Sequence, residues 1–158
     1  MQRTRFSEMA CPIARSLDRV GEWWSMLILR DALHGLTRFE QFQSSLGIAP
    51  NMLARRLNAL VEAGMLERHL YSQRPPRHEY VATDLARDFR PVLIALMAFG
   101  NRNFAPEGAS SQLVDCVTGE VAEPILVDAN SGLPLDDPRF RPAAGPAAGP
   151  ETIARFSG

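Results

Sequence analysis

The chain has 158 residues, enough for one compact domain with an appendage, and its 46% hydrophobic content is that of an ordinary globular core. No apolar run approaches the ~18 residues of a membrane span, and the start, MQRTRFSEMACP, has no secretory apolar region, so a cytoplasmic protein without membrane attachment is expected. The net charge of −1 hides an asymmetry: residues 1–104 carry 14 Arg against 10 acidic groups, and residues 105–158 carry 3 against 8. That pattern points to a nucleic-acid-binding part and a separate acidic part. Cys11 and Cys116 stand too far apart for a spaced metal motif or a disulfide framework, and His34, His69 and His78 have no ligand spacing to them. No metal and no cofactor are expected.

Residues 1–10 form an N-terminal arm. Pro12 suits the first position of a helix over 12–20, with Cys11 at its N-cap and Ile13, Leu17 and Val20 on one face. Residues 22–34, EWWSMLILRDALH, are apolar nearly all round, which predicts a central buried helix stopped by Gly35. The run Thr37-Arg38-Phe39-Glu40 reads as a capping box opening a short helix with Phe39, Phe42 and Leu46 inward. Gly47 makes a turn, and Pro50 starts a fourth helix that points Leu53, Leu57 and Leu60 inward and ends at Gly64. Alternation over Met65–Tyr71 and His78–Ala82, around the turn SQRPPR, predicts a hairpin. Thr83 or Asp84 then caps one long helix to about Phe104. Its stripe Leu85, Phe89, Val92, Leu96 and Phe99 is expected to pack on the domain. The second stripe, Leu93, Met97 and Phe104, is expected to meet a partner subunit.

After Pro106 the character changes. Residues 113–119 (LVDCVTG) and 126–132 (LVDANSG) share Leu-Val-Asp followed by Gly at the same offset, and predict two extended segments, each ending in a turn. Residues 105–137 are expected to form a small β appendage docked on the body or on another subunit, the alternative being a disordered segment. Residues 138–158, with AAGP twice, read as a mobile tail.

A short capped helix, a glycine turn, a second amphipathic helix and an immediately following hairpin predict a mainly α fold with a β-hairpin wing: a winged helix-turn-helix over 11–104. With Leu53, Leu57 and Leu60 inward, the helical period puts Asn51, Arg55 and Asn58 outward, Met52 at their edge and Arg56 nearer the core boundary. Asn and Arg pair bidentately with adenine and guanine edges, whereas the bland reading makes them solvated positions. Arg56 is suited to a phosphate contact or to packing by its stem. In the wing, Arg74 and Arg77 flank two prolines and suit phosphate or minor-groove contact. Arg38, at the short helix's N-terminus, suits a phosphate. The partners implied are double-stranded DNA and a second copy of the chain. No arrangement of nucleophile, base and orienting group and no phosphate loop is present, so no enzyme is expected. A dimeric protein-interaction module of the same fold without DNA binding is the alternative.

Cys11-Pro12, Trp24, the LILRDAL run, Arg38-Phe39, EAGMLER and PPRHEY occur in this order and resemble the HxlR family of MarR-like winged-helix regulators of bacteria, over about residues 9–104. The resemblance implies a homodimer built by the terminal helices, acting mostly as a repressor and sometimes as an activator. It also implies, for some members, a response to electrophiles or oxidants through a cysteine near the start, the position of Cys11. Glu22-Trp23 departs from the usual Gly-Lys, Ala49 from the usual Ser or Thr, and the extension after 105 is absent from the shortest members. Cys11 beside unpaired helix amides, with Arg15 one turn on, has electropositive surroundings suited to a redox sensor; the alternative is an inert small hydrophobe. Trp23, Trp24 and Met26 are either core or the lining of a small-molecule effector pocket.

Overall fold

The computed structural model describes residues 11–157; the N-terminal arm over 1–10 lies outside the described residues. The elements run α1 (Pro12–Val20), α2 (Trp23–Leu33), α3 (Phe39–Leu46), α4 (Pro50–Glu62), β1 (Leu66–Gln73), β2 (Pro76–Ala82), α5 (Asp84–Asp88), α6 (Arg90–Phe104) and α7 (Pro150–Phe156). The chain divides into two units after Leu93, within the last long helix rather than at the expected boundary near 105.

The first unit is organised by α2. Ile28 and Leu29 are fully buried there with Phe42 of α3, Leu53, Leu57 and Leu60 of α4, and Leu66 of β1. Removing each such side chain from water contributes roughly 1.5–3 kcal/mol. Local chemistry sets the turns between these helices. Gly21 closes α1 with its N–H on the Leu17 carbonyl at 2.8 Å, and a Cβ there would stand 2.4 Å from that oxygen, so no larger residue fits. Gly47, between α3 and α4, adopts φ 61°, a left-handed conformation that costs glycine little. The expected capping box at α3 is realised one residue later. Arg38 is the N-cap, and the Gln41 side-chain oxygen, not Glu40, accepts from the backbone N–H groups of Thr37 (3.0 Å) and Arg38 (2.9 Å). α4 begins at Pro50 behind Ala49 and has no side-chain cap.

The hairpin is longer and tighter than expected. β1 and β2 pair antiparallel from Leu66↔Ala82 to Gln73↔Pro76, which leaves only Arg74 and Pro75 in the turn and places Arg77 within a strand. A bulge falls at Tyr71, since Leu70 pairs with His78 and Ser72 with Arg77. The segment before α3 adds a short third strand: Arg38 bridges Glu79, and the Tyr80 N–H donates to the Thr37 carbonyl at 2.7 Å. Two residues carry too little alternation to be visible as a strand in sequence.

The long terminal helix is broken. α5 ends at Asp88, Phe89 interrupts, and α6 follows. Pro91 is the cause: it has no N–H for the Arg87 carbonyl and its ring crowds that oxygen. The Val92 amide returns to the Phe89 carbonyl only three residues back (3.0 Å), and the Leu93 amide makes the ordinary four-residue bond to the same oxygen (3.4 Å).

The second unit has no buried residue among those described. It is held by two local hairpins of the same design, thirteen residues apart. In the first, Asp115 Oδ1 accepts from the amides of Val117 (2.7 Å) and Thr118 (3.2 Å), the Gly119 amide returns to Asp115, and Val114 bridges Val121. In the second, Asp128 Oδ2 accepts from the Ser131 amide (2.9 Å) and hydroxyl (2.7 Å), the Gly132 amide returns to Asp128, and Val127 bridges Pro134. The Ser131 hydroxyl first, then its amide, hold the Asp128 carboxyl below the ordinary carboxylate value. The expected β unit is therefore a pair of single bridges rather than a sheet. The tail is not structureless either, because α7 starts on Pro150 with Glu151 in its first turn. Seven residues behind a glycine-proline repeat carry too little periodicity to stand out.

Thr83 ties three segments of the first unit together. Its hydroxyl donates to the carbonyls of Gly64 (2.7 Å) and Met65 (3.1 Å) and accepts from the Ala86 amide (3.3 Å) at the start of α5. Thr83→Val keeps the shape and removes these bonds; thermal unfolding followed by circular dichroism is expected to show a loss of about 1–2 kcal/mol.

Candidate nucleic-acid interface

The α4 helix cannot rotate. Leu53, Leu57 and Leu60 have no exposed surface, so its opposite face is committed to solvent. Asn51, Arg55 and Asn58 are exposed on that face and Met52 is half-buried beside them. The Arg55 guanidinium donates to Met52 Sδ at 3.1 Å, which lays it along the helix surface. Arg56 is held differently. Its side chain is 11% exposed and forms an ion pair of 2.9 Å with Glu22 at the N-cap of α2, and its Nε is buried without a partner. The residue that departs from the family pattern at 22 is thus the one that receives Arg56.

Arg74 lies exposed in the two-residue turn of the wing and Arg77 lies exposed at the start of β2. Arg38 is exposed on the third strand, its guanidinium 4.9 Å from the centroid of the Tyr71 ring. Sequence reasoning missed Tyr71, because only the bulge and the third strand bring it to Arg38.

The remaining candidates separate. Cys11 is half-buried at the N-cap of α1, with its carbonyl accepting the Arg15 amide at 3.1 Å. Trp24 and Met26 pack against the core, whereas Trp23 is 74% exposed and meets Trp24 edge to face at 6.5 Å. Of the stripe expected to pack on the domain, Phe89 does so, and Leu85 is about half exposed. Leu93 packs on the core of the first unit, and Met97 lines an open groove of about 370 Å³ in the second, together with Asn101, Arg102, Leu113, Val121 and Pro124. Val92, Leu96 and Phe99 stand about half exposed, and Phe104, 73% exposed, meets Phe99 edge to face. No group of three His, Cys, Asp or Glu among the described residues is arranged to hold a metal ion, and no described helix is long and apolar enough to cross a membrane.

A helix pair joined by a left-handed glycine turn, followed at once by a hairpin that recruits a third strand, defines a winged helix-turn-helix protein of the transcriptional-regulator class. A family model described as HxlR-like helix-turn-helix matches residues 19–108, and the chain belongs to that family. The HTH-type transcriptional regulator Rv3095 of Mycobacterium tuberculosis is 38% identical over 135 residues, 85% of each chain. Among solved structures, PA1374 of Pseudomonas aeruginosa, described as a transcription factor, is 55% identical, with a TM-score of 0.66 over 92% of this chain and 99% of that one. PA1607, also described as a transcription factor, is 39% identical, with a TM-score of 0.78 over 89% and 99%. These matches run well past residue 108, so the second unit is shared with these relatives and is not peculiar to this chain.

The Glu22–Arg56 pair predicts an asymmetric response. Glu22→Ala leaves a mostly buried guanidinium without its carboxylate and is expected to cost about 1–2 kcal/mol, since Glu22 itself is partly solvated. Arg56→Met keeps the packing of the stem and is expected to be near neutral in the same thermal-unfolding measurement.

Proposed function

We propose that the protein binds double-stranded DNA sequence-specifically as a homodimer, on a near-palindromic operator in the cytoplasm, and acts as a repressor by occupying it. The observation that carries this reading is the locked face of α4: with Leu53, Leu57 and Leu60 fully buried, Asn51, Arg55 and Asn58 are presented together, and these side-chain types read adenine and guanine in the major groove. Met52 lies at the edge of that row. Arg38, Arg74 and Arg77 supply phosphate and minor-groove contacts around it. Arg56, paired with Glu22, supports DNA binding by setting the seat of α4 rather than by touching phosphate. The dipole at the N-terminus of α3 adds to the attraction. The interaction-module alternative leaves this exposed row without a task.

The dimer reading rests on α6, a 15-residue apolar helix with no buried residue. Val92, Leu96 and Phe99 repeat at i, i+4 and i+7, and with Phe104 they form the stripe left for a second copy. An electrophile or oxidant acting at Cys11, which sits at the start of α1, is the effector chemistry this reading accommodates.

Two measurements test it. In a gel shift on the gene's own upstream region, Arg55→Ala is expected to lose about 1–3 kcal/mol and relax preference at one base pair per half-site, while Arg77→Ala weakens all sequences more evenly and lowers the salt slope. Equal losses with unchanged base preference would remove Arg55 from base reading, and no shift at all would favour the interaction module. In analytical ultracentrifugation, Leu96→Glu with Phe99→Glu is expected to give monomers, because the dimer would bury unpaired charge. An undisturbed dimer refutes the α6 placement.

A further inference from the structure

We infer that Tyr71 is a positioning residue: it holds the Arg38 guanidinium over its ring, draws it away from Glu79, and keeps its charge available to a nucleic-acid phosphate. The inference rests on the DNA-binding reading above. Arg38 and Glu79 are directly opposed across the third strand and β2, and residues so opposed share a face with their Cβ atoms about 5 Å apart. Glu79 is therefore the ready ion-pair partner of Arg38, yet among the described residues no ion pair joins them. The guanidinium carbon lies instead 4.9 Å from the Tyr71 ring centroid.

The bulge makes this possible. Leu70 pairs with His78 and Ser72 with Arg77, so Tyr71 is the extra residue that the ladder does not hold. Bulges re-aim a side chain in this way. His69 pairs with Glu79 across the ladder. His69 itself is taken by Glu67 at 3.1 Å.

The chemistry then follows from the charge of guanidinium. A cation held over an aromatic ring is not neutralised by it, and donors turned away from the ring can still bond. An Arg38 paired with Glu79 would present a neutral pair to the phosphate backbone. An Arg38 held over Tyr71 keeps its charge, already ordered, beside the N-terminus of α3.

Phosphate contact is independent of sequence, so fluorescence anisotropy with a short random-sequence duplex over a range of salt suffices. Tyr71→Ala is expected to weaken binding about threefold to tenfold and to lower the salt slope by about 0.9 per subunit. Tyr71→Phe, which keeps the ring, retains wild-type behaviour, and Tyr71→Leu, which keeps only bulk, behaves as Tyr71→Ala. Glu79→Gln strengthens binding more in the Tyr71→Ala background than in the wild type, because only there does Glu79 compete for Arg38. Tyr71 is surface-exposed at 38%, and unchanged circular dichroism is the folding control. Wild-type affinity and slope in Tyr71→Ala, or an equal effect of Glu79→Gln in both backgrounds, overturns the inference. A wild-type protein that binds no duplex refutes the DNA-binding reading itself, and the inference falls with it.

Discussion

The complete burial of Leu53, Leu57 and Leu60 against α2 is the constraint on which the functional surface depends. A helix with one apolar stripe can lie on a flat surface at several rotations. Here three leucines fit among Ile28, Leu29 and Phe42 at full packing density, and a rotation by even one position would expose one leucine while burying Asn or Arg. The polar row on the opposite side is thus oriented by the core. The Glu22–Arg56 pair reinforces this seat from the edge, using a charge that the helical period alone would assign to the surface.

The wing is fastened to the helix-turn-helix by backbone bonds as well as by the buried Leu66 and Tyr80 side chains. The Thr37–Tyr80 hydrogen bond and the Arg38–Glu79 bridge place the start of α3 in the same small sheet as the hairpin. The Gln41 carboxamide satisfies the amides of Thr37 and Arg38 at that point. The helix pair and the wing therefore cannot shift independently without breaking backbone bonds in a partly buried setting. Such a tie leaves less loop order to be lost in any contact made through this surface.

The second unit follows a different logic. It buries no residue among those described, and its two hairpins are held by aspartate side chains that accept from turn amides. Such local hydrogen bonds shape a turn without supplying a core. Apolar groups such as Val117, Ile125 and Leu126 remain exposed on it. Its acidic balance keeps it distinct from the arginine-rich first part.

By itself, the sequence determined the order of elements through the hairpin, the inward leucines of α4, the outward Asn51, Arg55 and Asn58, and the turn glycines. These depend on period, on capping chemistry and on positive φ, all of which are local. It also showed the repeat of Leu-Val-Asp and Gly, because both copies fold through contacts within a few residues. Only the tertiary structure decided that Arg56 turns to Glu22, that Thr37 and Arg38 become a third strand, that Tyr71 is thrust out by a bulge to meet Arg38, and that Leu93 packs on the core of the first unit. Periodicity records which side chains are apolar or charged. It does not record which of two apolar faces meets the body, or which distant carboxylate or ring a long arginine finds, because those choices are made by packing between elements far apart in the chain.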